Sequence, residues 1–447
     1  MIKLLAVLII VFTLSRFVGL ESSPPGFFSD EAGAAFNMLC PGDDGYKLLF
    51  PVATSDGNYS APFIYIGSVW MRVFGSSVAS YRLLGAFFNA LAILLIFLLM
   101  RRLSGTQTAL WSALAAAASP WGFQFARFVT DNSMGPFFLA AGLFFLTPAA
   151  GGCRGVRPDA LRGLVAALCL VTSMYLYPPL RLVTPLVVAV FLALLPSSKT
   201  KSFWLSFSFT LLLLLLPLLY LSVAGDAQRR FDALAIWRPG QPVLPAIKTF
   251  FENFTAHLGV SYLFLTGDPN LRHSSQSVGL LGPLDVVGLA GLALFRPKPA
   301  RVAVFLLLAL LISLLPGALT NHAIPHSLRT FSGWLFVSML AGMGLAKVAQ
   351  LYRHAAPLLL VASTIFFSYF SYCYYAKYPL ISRDLIHGFD AEMKDAAEVA
   401  RSDADWTAFA KKYADYRPDA VRYYLVSFGG MSCPQSAFII EQSKLSR

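Results

Sequence analysis

Long apolar stretches without charge constrain this chain more than any other feature of its sequence. Before Lys377, nine stretches of at least 17 residues contain no Asp, Glu, Lys or Arg, and two further stretches each contain a single charge, Arg16 and Asp285. A helix needs about 20 mostly apolar residues to cross the ~30 Å hydrocarbon layer of a bilayer. The sequence therefore predicts an all-α polytopic membrane protein with about eleven transmembrane helices. The predicted spans are 4–20, 83–100, 103–126, 132–153, 163–180, 182–198, 202–225, 277–295, 302–328, 330–346 and 354–376.

The distribution of the net charge of +12 predicts how these spans are oriented. Short cytoplasmic loops of membrane proteins are enriched in Lys and Arg. With the N-terminus in the cytoplasm, the loops on that side carry thirteen basic residues and one acid, Asp159. We therefore expect a plasma (inner) membrane protein whose loops 21–82 and 226–276 and C-terminus lie outside. The excess charge then belongs to the cytoplasmic face, so it gives no reason to expect a nucleic acid partner. A signal peptide is the alternative for the first span, but no small-residue cleavage pattern precedes Glu21, which favours a retained anchor.

The outer segments are predicted to contain folded structure. In the first outer loop, Ser29 is expected to cap a short helix with Asp30 and Glu31 in its first turn, where carboxylates suit the helix dipole. Residues 62–74 favour a helix lying along the membrane surface. The C-terminal segment 376–447 is predicted to be a small α/β appendage, with helix near 391–413 and a strand in VRYYLVSF.

Five segments, in order along the chain, carry a family resemblance. They read PPGFFSDEA, SAPFIYIGSVWMRVFGSSVASYRL, ARFVTDNSMGPFF, YLFLTGDPNLRHSSQSVGLLGPLD and PGALTNHAIPHSLRTFSG. Together they resemble the GT-C glycosyltransferases, more narrowly the branch of the protein O-mannosyltransferases and the lipid A aminoarabinose transferase. The resemblance covers roughly residues 1–375 and implies a GT-C-type transmembrane domain there, with 376–447 as a separate extracytoplasmic domain.

The resemblance implies an integral membrane enzyme that moves a hexose or pentose from a polyprenyl-phosphate carrier to an extracytoplasmic protein, lipid or glycan. Asp30, the first acid of the Asp-Glu pair, is the implied general base. Glu31 is assigned to the catalytic pair with it, where it could orient Asp30 or bind the acceptor, and a plain salt bridge is the alternative. Cationic side chains are expected to stabilise the departing lipid phosphate. The expected substrate-binding residues are Arg127, Asp131, Asp268, Asn270, Arg272, His273, His326 and Arg329. No metal ligand is assigned and no cofactor is certain, although two adjacent carboxylates could hold a divalent ion.

Plainer interpretations of these residues remain open. Asp30 suits a helix start, Arg127 and Asp131 have the spacing of an intrahelical salt bridge, and GDPN is rich in turn formers. Where many family members have a basic residue near the first acid pair or before Pro62, this chain has none, and Lys47 could substitute. A transporter or lipid flippase is the main alternative function, and an inactive assembly factor is another. A flippase should place charges near mid-membrane, whereas the charged candidates lie at the outer ends of the spans.

The five cysteines divide by their predicted side of the membrane. Cys40 and Cys433 are both predicted to face outward, where an oxidising compartment allows disulfides. A Cys40–Cys433 disulfide that fastens the C-terminal segment to the first outer loop is a hypothesis, and two free thiols are the alternative.

Overall fold

The fold is a bundle of α-helices in a computed structural model that describes residues 2–40, 52–54, 57–148, 156–195, 199–224, 233–296, 298–352, 354–384, 388–415 and 417–445. Lys47 lies outside these residues. Every predicted span lies wholly or partly on a helix. The bundle helices are α1 (Ile2–Leu14), α4 (Val78–Ser104), α5 (Thr106–Ala118), α6 (Pro120–Arg127), α7 (Gly135–Leu146), α8 (Val156–Leu176), α9 (Leu180–Leu194), α10 (Lys201–Ala224), α12 (Pro283–Phe295), α13 (Ala300–Ala318), α14 (Gly333–Leu351) and α15 (Ala355–Tyr372).

The prediction of an all-helical polytopic membrane protein is confirmed. Six helical segments of the described chain are long and apolar enough to cross a membrane, and α9 and α12 are shorter apolar helices. The count of eleven crossings stays a prediction. The stretch 302–328 is helical only to Ala318, and the chain beyond it forms a loop before α14.

Pro120 breaks one apolar stretch into α5 and α6. Proline lacks an N–H and is best placed in the first turn of a helix. The Ser119 hydroxyl caps the new helix by accepting the N–H of Gly122 at 3.3 Å. The break redirects the chain, so α6 brings Gln124 and Arg127 to one end of the bundle.

Small residues allow α5, α12 and α14 to pack closely at the centre of the bundle. A Cβ added at Gly344 would lie 1.7 Å from the Gly288 carbonyl oxygen, and one added at Gly342 would lie 2.0 Å from the Ser112 hydroxyl. These backbones therefore approach more closely than any side chain would permit, as is common where membrane helices pack.

A layer of shorter helices covers one end of the bundle. In the first outer loop these are α2 (Ser29–Leu39), a small antiparallel hairpin of β1 (Val52–Thr54) and β2 (Gly57–Tyr59), and α3 (Ala61–Phe74). The other loops and the C-terminal segment add α11 (Val243–Ala256), α16 (Tyr378–Ile381), α17 (Ala391–Val399), α18 (Asp403–Tyr413), α19 (Pro418–Ser427) and α20 (Cys433–Leu445). The α3 helix confirms the helix predicted at 62–74, while its position along the membrane surface stays a prediction.

Two local predictions were wrong. The segment VRYYLVSF is helix α19 rather than a strand, so the described C-terminal segment is helical and not α/β. Its apolar residues satisfy a helical period as well as a strand, and α19 buries Val421, Tyr424 and Leu425 along one side. Phe28, rather than Ser29, occupies the cap position of α2, and Ser29 begins the helix without capping it.

The C-terminal segment is attached to the first outer loop by α19, which packs against α2. Phe36 of α2 lies under the Arg422 guanidinium, 4.1 Å from ring centre to Cζ. Cys40 and Cys433 form a disulfide, which confirms the pairing hypothesis. The boundary between the two proposed domains at residue 376 stays a prediction.

Candidate functional site

Asp30 stands at the start of α2 with its side chain exposed, at the same end of the bundle as the GDPNLRH loop. Phe28, which precedes the helix, lies under the guanidinium of Arg272, with 4.2 Å between Cζ and the ring centre. Burial lowers the pKa of Arg272, and attraction to Asp30 opposes that shift. The fold thus brings together the implied base and one implied phosphate-binding cation, although they are distant in sequence.

The loop that carries Arg272 is held by its own polar side chains. Gly267 begins it with a φ of +77°, a conformation that favours glycine. The Asp268 carboxylate accepts the N–H of Asn270 at 2.8 Å, and the Asn270 amide oxygen accepts both the backbone N–H of Arg272 at 3.0 Å and its Nε–H at 3.2 Å. Asn270 therefore orients Arg272, and the loop is more than a generic turn.

Two residues not singled out from the sequence support the other side of this loop. The Gln124 amide donates to the carbonyl of Arg272 at 2.7 Å and to the Tyr378 hydroxyl at 2.8 Å. Tyr378 in turn donates to the carbonyl of Leu271. Gln124 could have been identified from the sequence as a lone amide side chain in an apolar stretch. Such an amide is costly to bury without hydrogen-bond partners.

Glu31, unlike the exposed Asp30, is fully buried. Its carboxylate pairs with Arg82 at 3.1 Å and accepts the backbone N–H of Val129 at 3.1 Å. Arg82 also donates to the carbonyls of Leu20, Pro24 and Gly26. In this arrangement Glu31 fixes the chain that leads into α2, so we assign it a positioning role.

Arg127 is likewise buried and bonded to backbone. Its N–H groups donate to the carbonyls of Arg16, Val18, Gly19 and Ser23. All five guanidinium N–H groups are used in this way, which leaves none for a hydrogen bond to Asp131. Asp131 is partly exposed, accepts the N–H of Asn132 at 2.9 Å and interacts electrostatically with Arg181. The structure therefore separates this pair.

A second cluster consists of Asp268, His273 and His326. One Asp268 oxygen accepts the N–H of Ser327 at 2.7 Å and its hydroxyl at 2.8 Å. His273 Nδ1 lies 3.3 Å from the same oxygen without the alignment of a hydrogen bond, and its ring centre is 4.6 Å from that of His326. Although burial raises the pKa of Asp268, His273 and the hydrogen bonds lower it to about 2, so the carboxylate is charged at neutral pH.

His257, which was not singled out from the sequence, holds the backbone of His326 in position. Its Nδ1 lies 2.7 Å from the carbonyl oxygen of Asn253, and its Nε2 accepts the backbone N–H of His326 at 3.0 Å. This pattern makes His257 a neutral tautomer protonated at Nδ1. Burial, together with the charges of His273 and Arg329, lowers the pKa of His326 well below its usual value.

The second cluster has the donor atoms of a metal site. One atom each from Asp268, His273 and His326 lie within 4.8 Å of one another. The buried His273 Nδ1 has no hydrogen-bond partner in the described chain, and burial keeps His326 in the neutral form that binds metals. These three residues fit a divalent ion such as Zn²⁺ better than the Asp30–Glu31 pair, because Glu31 is engaged with Arg82.

Arg329 lies beside this cluster. Its guanidinium donates to the Thr320 hydroxyl at 2.8 Å and to the His322 carbonyl at 2.7 Å. A cavity of about 270 Å³ adjoins Asp268, Asn270 and Arg272 on one side and residues 323–325 on the other. The GDPNLRH loop therefore connects the Asp30–Arg272 region with the histidine cluster.

Comparisons with known proteins agree with this architecture. The family model described as dolichyl-phosphate-mannose-protein mannosyltransferase matches residues 61–224. The oligosaccharyltransferase AglB from Archaeoglobus fulgidus, in complex with an inhibitory peptide and a dolichol-phosphate, is similar with a TM-score of 0.52 and 15% identity, over 95% of this chain and 59% of AglB. ArnT from Cupriavidus metallidurans, bound to undecaprenyl phosphate, has a TM-score of 0.52 and 15% identity, over 98% of this chain and 77% of ArnT.

This chain thus spans less than two thirds of the length of AglB. No curated protein matches the chain by sequence. At 15% identity the structural likeness establishes the fold, whereas the family match rests on the sequence of residues 61–224. Those residues match the dolichyl-phosphate-mannose-protein mannosyltransferases and nearly the whole chain has the fold of AglB and ArnT, so the predicted resemblance to the GT-C glycosyltransferases is confirmed.

Proposed function

We propose that this chain is a membrane glycosyltransferase that moves a sugar from a polyprenyl-phosphate carrier to an extracytoplasmic acceptor. The observation that carries the proposal is that exposed Asp30 attracts Arg272, whose guanidinium lies over the ring of Phe28. The fold is shared with a protein solved with undecaprenyl phosphate. The sugar could be a hexose or a pentose, and the acceptor a protein, a lipid or a glycan.

The chemistry follows from the charges of these two residues. Asp30 takes the proton of the acceptor hydroxyl while its oxygen attacks the anomeric carbon. The bond from that carbon to the carrier phosphate breaks, and the departing phosphate gains negative charge that Arg272 stabilises. One displacement of this kind inverts the anomeric centre. Asn270 and Gln124 hold the loop so that Arg272 needs little reorganisation as charge develops.

Two features support an extracytoplasmic site. Disulfides persist in oxidising compartments, and Cys40–Cys433 joins the first outer loop, which carries Asp30, to the C-terminal segment. In addition, three basic residues predicted to be cytoplasmic gather around one end of α7. Arg102, Arg162 and Lys199 donate to the Thr147 hydroxyl or carbonyl at 2.7–3.0 Å.

The test is a transfer assay with purified protein in lipid and radiolabelled polyprenyl-phosphate sugars. We expect Asp30→Asn to abolish transfer, because an amide cannot accept the proton, while Glu21→Gln, an exposed acid in the same loop, transfers normally. Near-normal turnover by Asp30→Asn would refute the assignment of the base. A flippase would instead move labelled lipid across the bilayer without passing the sugar to an acceptor.

A further inference from the structure

Basic side chains gather at the end of the bundle opposite the proposed reaction centre. Near the start of α4, Arg82 pairs with Glu31, the neighbour of Asp30, and Arg102 lies near the other end of the same helix. At 1.5 Å per residue, the stretch of α4 between the two arginines is about 30 Å long, which is the thickness of the hydrocarbon layer. The surroundings of Arg102 and the proposed reaction centre therefore lie at opposite surfaces of the membrane.

Three of these basic side chains are held close to one another by Thr147, and we call them the cation cluster. Arg162 and Lys199 both donate to the Thr147 carbonyl oxygen at 2.7 Å, and Arg102 donates to its hydroxyl at 3.0 Å. Asp159, 3.6 Å from Arg162, is the one acid that contacts these cations in the described chain. The cation cluster therefore keeps an excess of positive charge.

Lys199 is the member of the cation cluster that most lacks a counter-ion. Burial and the charge of Arg162 lower the pKa of Lys199 to about 8, although Asp159 opposes this shift. Its Nζ donates to backbone carbonyls and lies 4.7 Å from the ring centre of Phe203. None of these partners carries a negative charge, so an anion beside Lys199 would be stabilised.

A pocket beside Lys199 has room for such an anion. Its volume is about 560 Å³, within the range of about 300–1,000 Å³ that is typical of small-molecule sites. The residues that line it come from the start of α10 and the chain just before it, and they are Lys199, Lys201, Ser202, Trp204, Leu205 and Ser208. Lys201 is exposed, so two ammonium side chains border space that is open to a ligand.

The surface of α10 beyond the pocket suits acyl chains. Leu205, Phe209 and Leu212 are exposed along one side of the helix, at a spacing that places them on the same face. Trp204 lines the pocket, and tryptophan is enriched at the depth where lipid headgroups meet the hydrocarbon layer. Cations at the pocket and an apolar strip next to it match an amphiphile with an anionic headgroup better than a free phosphate ion.

We propose that this pocket binds the headgroup of an anionic phospholipid through Lys199 and Lys201, with Arg102 and Arg162 adding to the positive potential. Basic pockets at the cytoplasmic ends of transmembrane helices suit such headgroups, and the proposed orientation places this pocket at that surface. The lipid phosphate would accept charge-assisted hydrogen bonds from the two ammonium groups. The site is separate from the proposed reaction centre and does not depend on the proposed function.

The experiment titrates dioleoyl phosphatidylglycerol into the full chain in detergent and counts bound lipid by native mass spectrometry. Dioleoyl phosphatidylcholine, which has the same acyl chains and no net charge, is the reference lipid. We expect phosphatidylglycerol to bind more tightly, and Lys201→Gln to raise its Kd about fivefold, the effect of one cation near an anionic headgroup. Combining Lys199→Gln with Lys201→Gln should raise Kd more than about tenfold. Because Lys201 is exposed, the single variant tests the site even if loss of Lys199 disturbs the packing around Thr147.

Arg301→Gln is the matched control. Arg301 is exposed in the first turn of α13 on the same predicted side, so this variant removes the same charge outside the pocket and should leave Kd unchanged. Equal affinity of the wild type for the two lipids, an unchanged Kd in Lys201→Gln, or an equal loss in Arg301→Gln would overturn the site. Glycerol 3-phosphate that binds as tightly as phosphatidylglycerol would show a site for free phosphate and overturn its assignment to a lipid.

Discussion

The adjacent acids Asp30 and Glu31 show how far single residues could be interpreted from the sequence. Successive residues of a helix point about 100° apart, so one member of an adjacent pair can face solvent while the other faces the core. Asp30 is exposed, and Glu31 is fully buried against Arg82. The sequence predicted their place in the first turn correctly. It could not assign their sides, because Arg82 reaches Glu31 only through the packing of α4 against the first outer loop.

Removal of Arg82 should destabilise the protein strongly. Arg82→Ala leaves Glu31 buried without its partner and frees three backbone carbonyls, a loss of about 3–5 kcal/mol for a broken buried pair. The free energy of unfolding can be measured in detergent by denaturant titration, supported by thermal unfolding. Arg72→Ala, at an exposed position of α3, should change stability little. Equal stability of the two variants would contradict a structural role for the Glu31–Arg82 pair.

The histidine cluster predicts binding of one divalent metal ion per chain. Zn²⁺ or Co²⁺ would be held by Asp268, His273 and His326, whose donor atoms already converge. We expect His326→Ala to lose the metal after dialysis, as measured by elemental analysis. His322→Ala, at an exposed position of the same loop, should retain it. A wild-type protein that retains no metal under these conditions would show that the cluster is held by hydrogen bonds alone.

Whole elements were predicted better than their breaks and contacts. Apolar stretches located the bundle helices because burial in lipid demands continuous apolar sequence. The short apolar run of α19 was assigned as a strand because periodicity alone does not separate a buried strand from a buried helix of that length. The proximity of Asp30 and Arg272 could not be predicted from the sequence alone. It depends on how α2 and the GDPNLRH loop fold onto the same end of the bundle.

The contact between α12 and α14 should not tolerate a side chain. Gly344→Ala places a methyl group where the Gly288 carbonyl oxygen lies 1.7 Å away, so the two helices must separate. Overpacking of this kind costs about 1–3 kcal/mol, and we expect a lower thermal unfolding temperature. Gly259→Ala is the matched control, because its added Cβ would meet only the Ala256 carbonyl oxygen at 3.1 Å. Unchanged stability of Gly344→Ala would show that the helices can shift apart at little cost.

At the scale of the whole molecule, charge and covalent structure both favour the proposed orientation. The net charge of +12 is assigned to the cytoplasmic loops, and three of those basic residues meet around Thr147 at the end of α7. There they satisfy carbonyls at a helix C-terminus, and in the proposed orientation they also favour retention of these loops in the cytoplasm. In the proposed orientation the same residues serve both packing and topology, and the basic composition requires no polyanionic partner.

The disulfide gives this orientation a direct test. Cys40–Cys433 joins the two ends of a loop of nearly 400 residues, which makes the unfolded chain more compact, so the oxidised protein should migrate faster on a denaturing gel. Reduction should slow the migration of the wild-type protein, and Cys433→Ser should migrate slowly with and without reductant. Cys169→Ser should behave as wild type because Cys169 is free. In intact cells, a membrane-impermeant reductant followed by an impermeant thiol reagent should label wild type at this pair, because the proposed orientation places both cysteines on the oxidising side. A mobility shift that persists in Cys433→Ser would refute the pairing. Labelling only after cell lysis would contradict the proposed orientation and would show that Asp30 lies on the cytoplasmic side.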